Sequence, residues 1–255
     1  MAFDIYVIVL LFVTGLFVGL LNVLIASKRP LGLKRIGSYC NKCNEEYLWY
    51  ELIPVFSYVY NLGKCPYCKH KISYWYPILE LMTAVMFSMS YVIYGFSYEM
   101  IVMIILTILM VNIFVSDFKY LVILDGTIYI ASVIVLVLKF LYFGFKTFIL
   151  SVCSGLIIFA FMMIVRFIGN KIFKRESIGG GDIKLSTFFG ICLGLRLGFL
   201  SLIIGCLFAF PYALYLSFSN KEKELPFGPF LTMGLVVCFL FMDKITAFIN
   251  LIFRF

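Results

Sequence analysis

The most constraining feature of this chain is how little interrupts its apolar sequence. Phe3 to Ser27 is almost continuously apolar, and seven further apolar runs follow, at about 77–95, 99–116, 121–143, 147–169, 183–198, 199–218 and 228–251. A helix needs roughly 20 apolar residues to cross a hydrocarbon core, and lipid forces every backbone polar group to be satisfied internally. Only 13% of the residues are charged and 64% are hydrophobic, against about 25% and about 45–50% in soluble domains. A soluble globular fold is therefore excluded. The expectation is an all-α polytopic membrane protein of about eight transmembrane helices, with one small polar module after the first. The division is residues 1–27 as the first helix, 28–76 as the polar module and 77–255 as a seven-helix membrane domain.

The net charge of +8 reports topology and not nucleic acid, because of where it lies. Lys28, Arg29, Lys34, Arg35, Lys42, Lys64, Lys69 and Lys71 crowd the polar module, with smaller clusters at 166–175 and 221–223. Asp4 precedes the first apolar run and the basic residues follow it, opposite to a cleavable signal peptide. The positive-inside bias then places the N-terminus outside. Alternating the sides puts 28–76, 117–120, 170–182 and 219–227 in the cytoplasm, and these loops with their margins carry 16 of the 21 Lys and Arg residues.

The polar module contains Cys40-Asn-Lys-Cys43 and Cys65-Pro-Tyr-Cys68, two C-x-x-C pairs separated by 21 residues. Two such pairs supply the four thiolates of a tetrahedral structural zinc site. The cytoplasm disfavours disulfides, and a module of this size gains from a metal staple. Redox dithiols and a vestigial site are the other readings of the pattern. His70 reads as a surface residue, because four thiolates complete the tetrahedron. Cys153, Cys192, Cys206 and Cys238 lie in apolar runs as small hydrophobes.

Ionisable groups in membrane segments are costly and are functional candidates by default. Asp117 closes the third run in Val115-Ser116-Asp117-Phe118-Lys119, and Asp182 opens the sixth in Gly179-Gly180-Gly181-Asp182-Ile183-Lys184. The topology places both at one depth on the cytoplasmic side. Glycines before Asp182 permit unusual backbone angles and close approach. Two facing carboxylates can share a proton, one activating water while the other polarises a peptide carbonyl. Taken singly, each has a plainer reading: Asp182 as a helix N-cap, Asp117 as a solvated interfacial residue.

With these elements in order, the chain resembles the type IV prepilin peptidases, membrane aspartic proteases of the Gly-x-Gly-Asp class. The resemblance runs through the two C-x-x-C pairs flanking Trp49-Tyr50-Glu51-Leu52-Ile53-Pro54, then Tyr76-Pro77-Ile78-Leu79-Glu80, Asp117, Gly179 to Lys184 and Pro226-Phe227-Gly228-Pro229-Phe230. It implies Asp117 and Asp182 as the catalytic pair. It also implies cleavage of prepilin, pseudopilin or competence-pilin precursors at the cytoplasmic face, after a basic leader ending in glycine and before an apolar stem. Many members then methylate the new N-terminus with S-adenosylmethionine, for which no residues are assigned. The resemblance further implies the bacterial cytoplasmic (inner) membrane, with lipid around the helices and the zinc module in the cytoplasm. The family's Pro-Asp after the first catalytic aspartate is Leu124-Asp125 here, and Asp125 is not expected to be a catalyst. Glu80 matches a family position with either a binding or a structural role.

Two other classes compete. An ion-coupled transporter or zinc-sensing receptor would use the aspartates for protons or cations, but such carboxylates usually sit near the midplane. A non-catalytic assembly subunit would need neither aspartate.

Overall fold

A computed structural model describes residues 2–28, 39–40, 42–174, 176–218 and 225–252. Residues 29–38 of the polar module and 219–224 of the last expected cytoplasmic loop lie outside the described residues, as do Arg175 and 253–255. The described chain is helical, with α1 (Ala2–Lys28), α2 (Phe56–Tyr60), α3 (Trp75–Tyr94), α4 (Tyr98–Tyr120), α5 (Asp125–Phe173), α6 (Gly180–Phe218), α7 (Phe227–Leu240) and α8 (Met242–Ile252). It divides into two units, Met1–Val115 and Ser116–Phe255.

In the first unit α1 packs on α3. A Cβ added at Gly15 would stand 2.7 Å from the Ala84 Cα, and one at Gly19 would stand 3.0 Å from the Glu80 Cα. This Gly-x-x-x-Gly spacing lets two backbones approach where the hydrophobic effect gives helices no reason to associate. Val23, Ala26, Leu79, Val111 and Val115 form a buried cluster beside the contact. Asn112 Nδ2 donates to Asn22 Oδ1 at 2.9 Å, and Asn22 Nδ2 donates to the Ile108 carbonyl at 2.6 Å. These amide bonds link α1 to α4 inside an otherwise apolar contact.

Between α1 and α3, the described part of the polar module contains a 3-10 turn at Trp49–Leu52, the short α2 and, as its extended pairings, only the isolated bridges of Tyr39 with Glu46 and Lys64 with Lys71. It is fastened to α3 by the buried Glu80, whose Oε2 accepts the Val55 N–H at 2.8 Å. Val55 holds φ +61° and ψ −48°, a positive-φ conformation outside the left-handed helical well and rare for a β-branched residue. The Glu80 carboxylate thus holds a strained turn at the helix, and of the two sequence readings of Glu80 this geometry favours the structural one.

In the second unit α5 and α6 each break once, at Gly144 (φ +80°) and Gly194 (φ +77°), angles that glycine adopts without steric cost. Both helices fold back at these points. Lys139 donates to Ser151 Oγ at 2.9 Å across the first break, and a Cβ at Gly198 would stand 3.3 Å from the Gly190 Cα across the second. Five helices are long and apolar enough to cross a membrane, and the bent α7–α8 pair adds a sixth. Counting the two limbs of α5 and of α6 separately recovers the eight apolar segments expected from sequence.

Two boundaries differ from expectation. The break expected near Arg196 to Gly198 falls at Gly194, because the turn needs a positive φ there. The run 228–251, expected as one span, bends by 77° between α7 and α8. The bend falls just before Asp243 and Lys244, two charges that a continuous apolar helix would have had to carry through.

Candidate active site and metal-binding module

Asp117 lies in the last turn of α4 and Asp182 in the first turn of α6, both in the second unit. The fold brings them together, close enough for the charge of Asp117 to act on Asp182. Asp117 is 6% exposed, and its Oδ2 accepts the Gly228 N–H at 2.9 Å. Gly228 stands in the first turn of α7, where backbone N–H groups have no partner within the helix and the dipole favours an anion. A helix start is thus aimed at one aspartate. Sequence reasoning did not give Gly228 this role; the signal was the Pro-Phe-Gly-Pro-Phe run, with Pro229 in the first helical turn.

Asp182 Oδ1 is out of reach of solvent and has no hydrogen-bond partner among the described residues. Such an orphan costs about 1–3 kcal/mol or more, and the charge of Asp117 also reaches this carboxyl.

The glycines before Asp182 are needed for space. None of Gly179, Gly180 and Gly181 has a positive φ, so the expectation of unusual backbone angles is not met. A Cβ at Gly179 would stand 3.0 Å from Asp182 Oδ2, and one at Gly181 would stand 2.9 Å from the Ile123 Cβ. At Gly180 the nearest atom would be Arg166 Nη1 at 3.6 Å, an ordinary contact. The physical requirement is therefore Gly-x-Gly-Asp, with the middle position free. Gly179→Ala is expected to push the Asp182 carboxylate aside and cost up to about 10²-fold in kcat, the effect of a misplacement of about 1 Å. Gly180→Ala should cost little. Steady-state cleavage of a leader peptide by the two variants checks this.

Asp125 is held in an ion pair with Lys184, two residues after Asp182. Both side chains are more than one-third exposed, so the pair contributes less than about 1 kcal/mol. Asp125→Asn is expected to keep most of the activity, unlike Asn at Asp117 or Asp182, in the same assay.

In the first unit the Sγ atoms of Cys40, Cys43, Cys65 and Cys68 all lie within 4.8 Å of one another. The two loops are built alike. Asn44 N–H donates to the Cys40 carbonyl and Cys40 N–H to that of Glu45; Lys69 N–H donates to the Cys65 carbonyl and Cys65 N–H to that of His70. Asn44 and Lys69, each four residues after the first cysteine of its loop, have φ +57° and +58°. These paired loops point four sulfurs at one centre. The Cys40 to Cys68 Sγ separation is 3.6 Å, near the roughly 3.8 Å edge of a tetrahedron with Zn–S bonds of about 2.3 Å and far beyond a disulfide bond of about 2.05 Å. The set therefore fits a tetrahedral metal. Burial works against the Cys40 thiolate, but the N–H groups of Cys43 and Lys42 draw its pKa down to about 6. Cys65 is lowered too: burial raises it, the N–H groups of Cys68 and Tyr67 outweigh that, and the Tyr47 hydroxyl adds a third donor. His70 is exposed and contributes its backbone carbonyl, not a ligand nitrogen.

Two family models match this chain. The one described as Bacterial Peptidase A24 N-terminal domain covers residues 13–94, and the one described as Type IV leader peptidase family covers residues 104–214. The chain belongs to the type IV prepilin peptidases. It is similar to the prepilin leader peptidase/N-methyltransferase of Bacillus subtilis, at 29% identity over 94% of this chain and 96% of that one. The Vibrio cholerae protein of the same name is 29% identical over 79% of this chain and 80% of its own, and that of Neisseria gonorrhoeae 27% over 87% and 77%. No solved structure gave a significant match. As a member of a protease family, the chain is an enzyme and a multi-pass inner-membrane protein. The first match spans the four cysteines, and the second contains both aspartates.

Proposed function

We propose that this prepilin peptidase is an aspartic endopeptidase that removes the basic leader of prepilin-like precursors and then methylates the new N-terminus. The observation that carries the protease half is the meeting of Asp117 and Asp182, with an unpartnered oxygen on one and a helix N-terminus on the other. The Gly228 N–H suits Asp117 to the carboxylate form, so Asp117 takes a proton from water while the water oxygen attacks the scissile carbonyl. Asp182 holds the shared proton at the start and gives it to the carbonyl oxygen. Collapse of the tetrahedral intermediate breaks the C–N bond as Asp117 passes the proton taken from water to the leaving amine, while one hydroxyl of the intermediate returns a proton to Asp182 and restores the starting pair. Both aspartates sit at helix ends on one side of the alternating topology, which we assign to the cytoplasm on the Lys and Arg bias. A precursor with a basic leader and an apolar stem stops with its junction at that depth.

Methyl transfer rests on the names of the relatives and on the four-cysteine module that the N-terminal family match contains. We assign no residues to the methyl donor. We assign the four thiolates to zinc as a structural ion that fixes the module's loops.

The deciding experiment is a mass analysis. Purified protein is incubated with a peptide of basic leader, Gly, Phe and apolar stem, with S-adenosylmethionine present and Asp182→Asn as control. The expected product has lost the leader and gained one methyl group, in the wild type alone. An intact peptide in the presence of folded protein would overturn the protease reading, and a cleaved, unmethylated product would overturn the methyl-transfer half.

A further inference from the structure

The polar module carries an apolar face that neither the carboxylate pair nor the thiol cluster uses. Phe56, Val59, Tyr60 and Leu62 are exposed, Leu62 to 82%. The rings of Phe56 and Tyr60, one helical turn apart on α2, stack with centroids 6.3 Å apart. Leu62 holds φ +50° in the turn that ends α2, where glycine or asparagine is the ordinary occupant. A branched apolar side chain exposed at a left-handed position serves neither the local backbone nor hydration. Such conflicts between residue and position concentrate at functional sites.

Cations flank this tip. The Ile72 N–H donates to the Gly63 carbonyl at 2.8 Å, and Lys64 pairs with Lys71, which sets both lysines directly beyond Leu62. Lys64, Lys69 and Lys71 are all exposed. Residues 28–76 hold eight Lys and Arg against three Glu. The module is also tied to the membrane at both ends, entering from α1 and leaving through Tyr74 and Trp75 into α3. Tyr74 and Trp75 are themselves exposed, as aromatics at a membrane–water boundary are.

We propose that the Phe56 to Leu62 face docks on the bilayer surface, with Phe56, Tyr60 and Leu62 seated at the headgroup–acyl boundary and the adjacent lysines on anionic headgroups. Aromatic and aliphatic groups beside clustered lysines are the composition of segments that lie on anionic membranes. The same lysines repel the basic leader of the proposed substrate, and a second copy of this face would meet like charge. The docking needs no catalytic activity and stands apart from the protease reading. Its consequence is that the module is held against the membrane, not free on a tether.

The test places the full chain, carrying Trp49→Phe and Trp75→Phe, in nanodiscs with or without brominated acyl chains. Tyr60→Trp reports the face, Leu62→Trp serves if that variant does not fold, and Glu46→Trp reports a polar edge of the module. Nanodiscs contain either phosphatidylglycerol with phosphatidylcholine or phosphatidylcholine alone. The expected result is that brominated lipid removes more than half of the Tyr60→Trp emission in phosphatidylglycerol nanodiscs and less in phosphatidylcholine, with Glu46→Trp unaffected. Adding Lys64→Gln and Lys71→Gln should abolish the difference between lipids. An unquenched, water-exposed Tyr60→Trp indole in both lipids would overturn the proposal. So would protection that appears only after a leader peptide is added, which would give the face to the substrate.

Discussion

Asn at either Asp117 or Asp182 is expected to abolish leader removal while the protein still folds and inserts. Each substitution keeps the size of the side chain and removes its capacity to exchange a proton. Losing one general acid or base ordinarily costs about 10²–10⁴-fold, and two groups that share one proton fail together, so the double variant should be little worse than either single one. Asp182→Asn also removes an ionisable group whose Oδ1 is buried without a partner, so its stability should be at least that of the wild type. The measurements are cleavage of a leader peptide by mass spectrometry and thermal unfolding in detergent. Retained cleavage in both single variants would remove the aspartic mechanism and revive a transport or assembly role.

The second large effect concerns the metal. Cys65→Ser, or removal of the ion by a strong chelator, is expected to unfold the described module from Tyr39 to Ser73. Structural zinc contributes about 10–16 kcal/mol of apparent folding free energy in small zinc peptides, and the module's other supports are small: two isolated pairings, a 3-10 turn, the five-residue α2, the bonds of Glu51 to Leu48 and Tyr67, and the Glu80 bond to Val55. Limited proteolysis should then cut between Cys40 and Ile72 while α1, α3 and the second unit resist. Methyl transfer should be lost with the module, and leader cleavage should persist, because Asp117, Asp182 and Gly228 all belong to the other unit. Acid should act in the same direction. Cys40, at about 6, and Cys65 are drawn toward the thiolate while Cys43 is raised to about 12; the metal takes all four as thiolates, so its hold on the module is lost as pH falls and the thiols take up protons. Zinc stoichiometry against pH checks the sign.

Much of this was legible in the amino-acid order, for definite reasons. Lipid leaves a chain few choices, so uninterrupted apolar runs predicted the helices, and the clustering of lysines predicted their alternation. Two C-x-x-C pairs specify a four-sulfur cluster because each pair closes its own loop, whatever the rest of the chain does. The two aspartates stood out because charge is expensive at a helix end in the membrane. The Gly15-x-x-x-Gly19 spacing is visible in the sequence too, but small residues recur throughout the apolar runs and spacing alone does not single out this contact.

Other features depended on contacts between residues far apart in sequence. Which of the three glycines before Asp182 is needed for space follows from the positions of Asp182 itself and of Ile123, and not from the glycines. The position of the turn at Gly194, a few residues before the expected break, and the bend after α7 could not be read from a uniformly apolar run, since hydropathy does not mark the residue at which a helix reverses. The Gly228 N–H on Asp117 joins residues 111 apart, and backbone donors leave no mark in a sequence. The sequence alone determined the solvent, the secondary structure and the chemical groups, because each of these follows from local composition. Only the tertiary structure decided that a helix start faces one carboxylate and that an oxygen of the other is left without a partner. Those are properties of three helix ends meeting, and no single segment contains them.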